Sequence, residues 1–185
     1  MTVMGKALAM AEYMTVSTGI KAADLMVKTA DVDVIEAQVV CPGKYIILIE
    51  GELSAVKASI DNTKEMFPDK LIDSFVLGNP HEDIFPAVYG SAEVTDKRAL
   101  GVLETYSAAS IILAADIAAK TSIVKLIELR VARGMCGKSY MLLTGEVAAV
   151  EAAIEKAKKE IQNGTMFLDS SVIASPDEKV WSKIV

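Results

Sequence analysis

The stretch Val39-Val40-Cys41-Pro42-Gly43-Lys44-Tyr45 sets the reading of this chain. Two runs rich in β-branched and aromatic residues meet at a Pro-Gly break, the pattern of two strands joined by a tight turn. The turn carries one of only two cysteines. A counterpart follows at Arg133-Gly134-Met135-Cys136-Gly137-Lys138, where the Gly-Lys pair returns but no cysteine stands in the place of Cys41.

Working outward from the two loops, the whole chain repeats. At an offset of 92, Lys6-Ala7-Leu8 through Glu12 matches Arg98-Ala99-Leu100 through Glu104, Ala22-Ala23-Asp24 matches Ala114-Ala115-Asp116, and Lys28-Thr29 matches Lys120-Thr121. After the loop the offset is 94, pairing Gly51-Glu52 with Gly145-Glu146, and near the end it is 96, pairing Asp73-Ser74 with Asp169-Ser170 and Pro80 with Pro176. The shifts fall at turns, as they do when one module has been duplicated. The boundary is placed between residues 92 and 93, giving repeats 1–92 and 93–185.

Each repeat reads β-α-β-β-α-β. In the first, residues 7–14 form a strand, and Ser17 or Thr18 is expected to cap a helix running to about residue 30. Strands follow at 34–40 and 45–49, a helix at 52–66, a strand at 71–77, and a tail at 80–88 with a helical turn. The second repeats this with strands at 99–105, 124–131, 139–144 and 166–173, helices at 107–121 and 146–163, and Gly164 as a cap. The fold class is α+β: two tandem ferredoxin-like units, each an antiparallel sheet with both helices on one face. The other face is expected to be open, with sheet edges to be protected.

The formal net charge is −6 over 185 residues, with no Lys/Arg run, so nucleic acid and anionic membrane are poor partners. Hydrophobic residues make up 52 % and mean hydropathy is +0.36, more apolar surface than two small units can hide. A large permanent interface with other copies would absorb it. The longest oily run, near Ala108 to Ala119, is interrupted by Asp116 and falls short of the roughly 20 residues a membrane span needs. The first residues lack a signal-peptide layout, and two cysteines without a pairing pattern fit a reducing cytosol. Nucleotide-binding glycines, a nucleophile elbow and a His-rich metal set are all missing, so no enzyme is expected.

Each repeat shows the Glu-ended first strand, a helix with Ala-Ala-Asp then Lys, the Gly-Lys loop, Gly-Glu opening the second helix, and Asp-Ser-x-Val followed by Pro. This set resembles the bacterial microcompartment shell-protein domain, and the duplication resembles its tandem-domain class. The resemblance implies a homotrimer shaped as a pseudohexameric tile, packed with other shell proteins into a microcompartment shell in the cytoplasm. It places Lys28 and Lys120 at the tile edge, and Gly43, Lys44, Gly134, Met135, Cys136 and Gly137 in loops around a central pore. Cys41-Pro42-Gly43-Lys44 is similar to the iron–sulfur-binding T-type subgroup of propanediol-utilisation shell proteins, as are Asp96-Lys97-Arg98 and Glu104-Thr105. That similarity implies a [4Fe-4S] cluster, one per trimer, held by Cys41 with Pro42 and Gly43 shaping the turn, and encapsulated redox enzymes as partners. The second loop departs from the subgroup, being less glycine-rich.

A cluster takes four thiolates, and one cysteine cannot supply them. Three copies around an axis supply three and leave one iron open to an external ligand. The competing reading of Cys41 is a small buried hydrophobe. Cys136 is read as a packed thiol, Lys44 and Lys138 as solvated loop lysines or as a source of positive potential, His81 as a surface residue, Trp181 as an anchor for the tail, and Glu12 and Glu104 as structural. The functional alternatives are a cluster-free tile whose pore passes small metabolites, and a ferredoxin-like regulatory module that binds a small molecule between subunits.

Overall fold

The computed structural model describes residues 7–95, 97–162 and 166–184; Gly164 and Asp96 lie outside the described residues. The first repeat folds as β1 (Ala7–Tyr13), α1 (Val16–Thr29), β2 (Val32–Val40), β3 (Lys44–Gly51), α2 (Leu53–Met66) and β4 (Leu71–Leu77), followed by a short α3 (Ile84–Val88). The second folds as β5 (Ala99–Thr105), α4 (Ala108–Thr121), β6 (Val124–Arg130), β7 (Ser139–Gly145), α5 (Val147–Gln162), β8 (Phe167–Ile173) and α6 (Glu178–Ile184). The sheets run β2-β3-β1-β4 and β6-β7-β5-β8, antiparallel throughout. The expected α+β order is thus present twice.

The duplication extends to the irregularities. Register slips between Glu12 and Tyr13 where β1 meets β4, and between Glu104 and Thr105 where β5 meets β8. It slips again between Val34 and Glu36, and between Leu126 and Glu128, at the same offset of 92. Bulges of this kind re-aim side chains and are kept as built features.

Two compact units are present. The first comprises residues up to Pro80 together with Ser107–Ala109 and Ala132–Gly137; the second comprises His81–Tyr106, Ser110–Val131 and Lys138–Val185. In the first, alternate residues of β1 (Ala7, Ala9, Ala11, Tyr13) join Ile47 and Ile49 of β3, Ala22 and Met26 of α1, and Val56 and Ile60 of α2 in one core. Period-two alternation on the strand and 3–4 spacing on the helices supply those faces. Small residues on β1 leave room for close helix approach. Gly19 of α1 takes this furthest, since a Cβ there would sit 2.4 Å from Tyr45 Cβ.

Two expectations need correction. The α1 cap position is Thr15, in extended geometry, and its side chain makes no capping bond; Oγ1 hydrogen-bonds Thr18 Oγ1 at 3.0 Å instead, and Ser17 and Thr18 lie within the first turn. The second sheet faces are not simply open. All seven residues of β1 are buried, including Leu8, Met10 and Glu12 on the side away from the core. In the second unit the closing tail is a helix, α6, whose Trp181 is 1 % exposed and packs with Leu100, Ile127 and Leu142. A seven-residue segment shows too little periodicity to be read as a helix from sequence.

Candidate functional site

The Cys41 turn is built by the register of its hairpin. Val39 pairs with Tyr45 and Val40 with Lys44, leaving Cys41, Pro42 and Gly43 as the connection. The Cys41–Pro42 bond is cis, Gly43 has φ +105°, and Gly43 N–H donates to Val40 O at 2.9 Å. A positive φ of that size suits glycine, which carries no Cβ to clash. All three residues are exposed, so the reading of Cys41 as a buried hydrophobe does not hold in this chain.

The second loop, Ala132–Gly137, belongs to the same compact unit as the Cys41 turn. Four of its residues have left-handed backbone: Ala132, Gly134, Cys136 and Gly137. Gly137 is buried, and a Cβ on it would lie 2.9 Å from Lys44 Nζ and 3.3 Å from Cys41 O. The two loops therefore touch. Arg133 closes the contact through an ion pair with Glu36. Cys136 is exposed, which corrects its reading as a packed thiol. Its backbone is left-handed, with φ +52°.

Lys44 is not a solvated loop lysine. Its Nζ pairs with Glu12 Oε1 at 2.9 Å and donates to Gly137 O at 3.4 Å. Glu12 is fully buried, and its other oxygen accepts the Ala108 N–H at 2.9 Å. Burial raises the Glu12 pKa, while Lys44 and the Ala108 N–H pull it down. Asp73 extends the cluster by accepting from the Ser107 hydroxyl. Glu12 is structural, as read. What sequence reading missed is its partnership with Lys44. With β1 and β3 adjacent, Glu12 opposite Ile46 stands diagonal to Lys44, a separation long side chains span.

Other named residues lie elsewhere. Gly134, Cys136 and Lys138 are exposed and Met135 half-buried. Lys28 pairs with Asp24 at 2.6 Å, and Lys120 with Asp116 at 2.7 Å. Asp116 also accepts the His81 N–H. His81 is half-buried and its Nδ1 accepts from the Asp83 N–H at 3.2 Å, so it serves the start of α3. Among the described residues no group of three or more His, Cys, Asp or Glu is placed to hold a metal ion. One chain brings a single thiol to the Cys41 turn.

The BMC domain family matches this chain twice, over residues 7–80 and 99–176. The chain belongs to the bacterial microcompartment shell proteins. This shell protein is 35 % identical to the bacterial microcompartment shell protein PduT of Citrobacter freundii over 98 % of its own length and 99 % of that protein. A crystal structure of a microcompartment protein from Desulfitobacterium hafniense superposes with a TM-score of 0.83 at 40 % identity, covering 96 % of this chain and 99 % of the other. The fused permuted hexameric shell protein MSM0275 shares the fold, with a TM-score of 0.65 at 21 % identity over 85 % of this chain and 82 % of its own. The role of the family is structural, not catalytic. No described helix of this shell protein is long and apolar enough to cross a membrane.

Proposed function

We propose that this shell protein acts as a homotrimeric, pseudohexameric tile and that Cys41 from three copies holds one [4Fe-4S] cluster on the three-fold axis. The observation that carries the reading is an exposed thiol at the tip of a turn. A Cβ on the neighbouring Gly43 would meet nothing within 4 Å, so the turn leaves room for a bulky group beside the thiol. The donor set of one chain is a single thiolate, and rotational symmetry multiplies it without further sequence change. Pro42 and Gly43 keep the connection short. When bound, the cluster supplies one-electron chemistry at the shell, or is cargo for encapsulated redox enzymes.

In this reading Gly43, Lys44, Gly134, Met135, Cys136 and Gly137 surround the central opening, and Lys28 and Lys120 lie at the tile edge facing other shell proteins. Residues 1–92 and 93–185 are the two repeats. The competing reading is a cluster-free tile whose opening passes small metabolites. Its support is that the Lys44 charge is already neutralised by Glu12, which weakens Lys44 as an attractor for an anionic cluster.

Anaerobic purification and reconstitution with iron and sulfide separates the two. A brown trimer with thiolate-to-iron absorption is expected. Cys41→Ser should lose the colour while keeping the trimer. A colourless wild-type trimer after reconstitution refutes the cluster and leaves the transport tile.

A further inference from the structure

Three Cys41 thiolates supply three of the four ligands that a [4Fe-4S] cluster takes, and one iron is left without a protein sulfur. The chain carries a second exposed thiol, Cys136, to which that three-fold set gives no task. The two cysteines are the only ones in the chain, and their loops belong to one compact unit. Gly137 joins the loops, since a Cβ on it would lie 3.3 Å from Cys41 O. Cys136 is the residue before it, so its Cα stands one chain step of about 3.8 Å from that contact. The space beside both turns is open as well: Cβ atoms on Gly43 and Gly134 would each meet nothing within 4 Å.

The backbone around Cys136 suits an anionic sulfur centre. Ala132, Gly134 and Cys136 have positive φ, at 58°, 71° and 52°, and Arg133 and Met135 between them do not. Alternation of this kind turns successive N–H groups toward one side and forms a concavity for anions, iron–sulfur centres among them. None of the N–H groups from Arg133 to Gly137 makes a backbone hydrogen bond within the described residues. Sulfur is a weak acceptor that such donors can serve, and hydrogen bonds to cluster sulfurs help set the potential. Of the cations nearby, Arg133 is paired with Glu36 and Lys44 with Glu12, whereas Lys138 is exposed. Lys138 directly follows Gly137 and adds positive potential where thiolates would gather negative charge.

We propose that Cys136 of one copy supplies the fourth thiolate, so that three Cys41 and one Cys136 hold the cluster. This rests on the [4Fe-4S] trimer proposed above. Cys136 serves once per trimer and not once per chain, so the symmetric Cys41 set is unchanged and two Cys136 thiols stay unbound. Every iron then has a protein sulfur, and none keeps an open position for water or a small external ligand. A closed cluster of this kind suits electron transfer. It is harder to hand on as cargo, because four thiolates and not three must let go.

Two measurements on the anaerobically reconstituted trimer test the fourth ligand. Brief alkylation with iodoacetamide, read by peptide mass spectrometry, should spare Cys41 and leave about one third of Cys136 unmodified. Ferricyanide takes one electron from the cluster, and an iron without a thiolate then departs as a ferrous ion, leaving a three-iron centre visible by electron paramagnetic resonance. Cys136→Ala should keep the trimer and the brown colour but form that centre about tenfold faster than wild type, or more. Alanine retains the Cβ at an exposed position, and sedimentation checks that the variant still assembles. A brown wild-type trimer whose Cys136 is fully alkylated, or which loses iron as fast as Cys136→Ala, overturns the fourth ligand and leaves the three-thiolate cluster standing. A wild-type trimer that takes up no iron overturns the cluster itself, and the fourth ligand with it.

Discussion

Burial holds the Glu12 carboxyl above the ordinary 4.5 of a glutamate, against the opposing pull of Lys44 and the Ala108 N–H. A raised pKa means that the unfolded chain gives up this proton first. The stability Glu12 confers is therefore complete below pH 4.5 and is lost as pH rises through its folded value. Thermal melts of wild type and Glu12→Gln across this range should show the wild type losing ground from pH 4.5 upward. A difference that stays level, or that moves the other way, refutes the assignment. At the same scale the Cys41 turn was legible from its Pro-Gly pair, because the turn depends on local backbone chemistry. The backbone of the second loop was not, since Ala132 and Cys136 take positive φ there, residue types that rarely do so.

Among the elements, α6 is the one that strand and helix periodicity could not reveal, and it has a measurable share in stability. Trp181 is its only buried residue and fills the space over Leu100 and Leu142. Trp181→Ala should destabilise the fold by about 3–5 kcal/mol, read from urea unfolding. A loss under about 1 kcal/mol would mean that α6 rests on the sheet without supporting it. The remaining elements were legible nearly to the residue where strands end at Gly51, Leu77 and Thr105, since turn residues and apolar alternation agree there. Agreement fails at the start of α1. Thr15, Ser17 and Thr18 can all offer a capping oxygen, and only the three-dimensional entry of the chain chooses among them.

For the assembled particle, Lys28 and Lys120 are proposed edge residues on helices whose last turns they end, each tied back to an aspartate one turn earlier. Lys28 is the more exposed, with 68 % of its side chain accessible against 43 % for Lys120. Lys28→Ala should thus reduce two-dimensional sheets seen by electron microscopy more than Lys120→Ala, and both should leave the sedimentation of the single tile unchanged. Sheets of normal extent in both variants would remove these lysines from the edge. The repeat could be read from spacing alone, and the expectation of a partner from the excess of apolar residues; which surfaces of the chain are buried could not, because burial is a property of the folded chain. The compact units also do not divide where the sequence repeat does. The first keeps Ser107–Ala109 and Ala132–Gly137, which are drawn from the later half. A protease nick in the connecting segment would consequently yield fragments that run as one species on a native gel and separate only in denaturant, and either half expressed alone would be missing pieces of its own body.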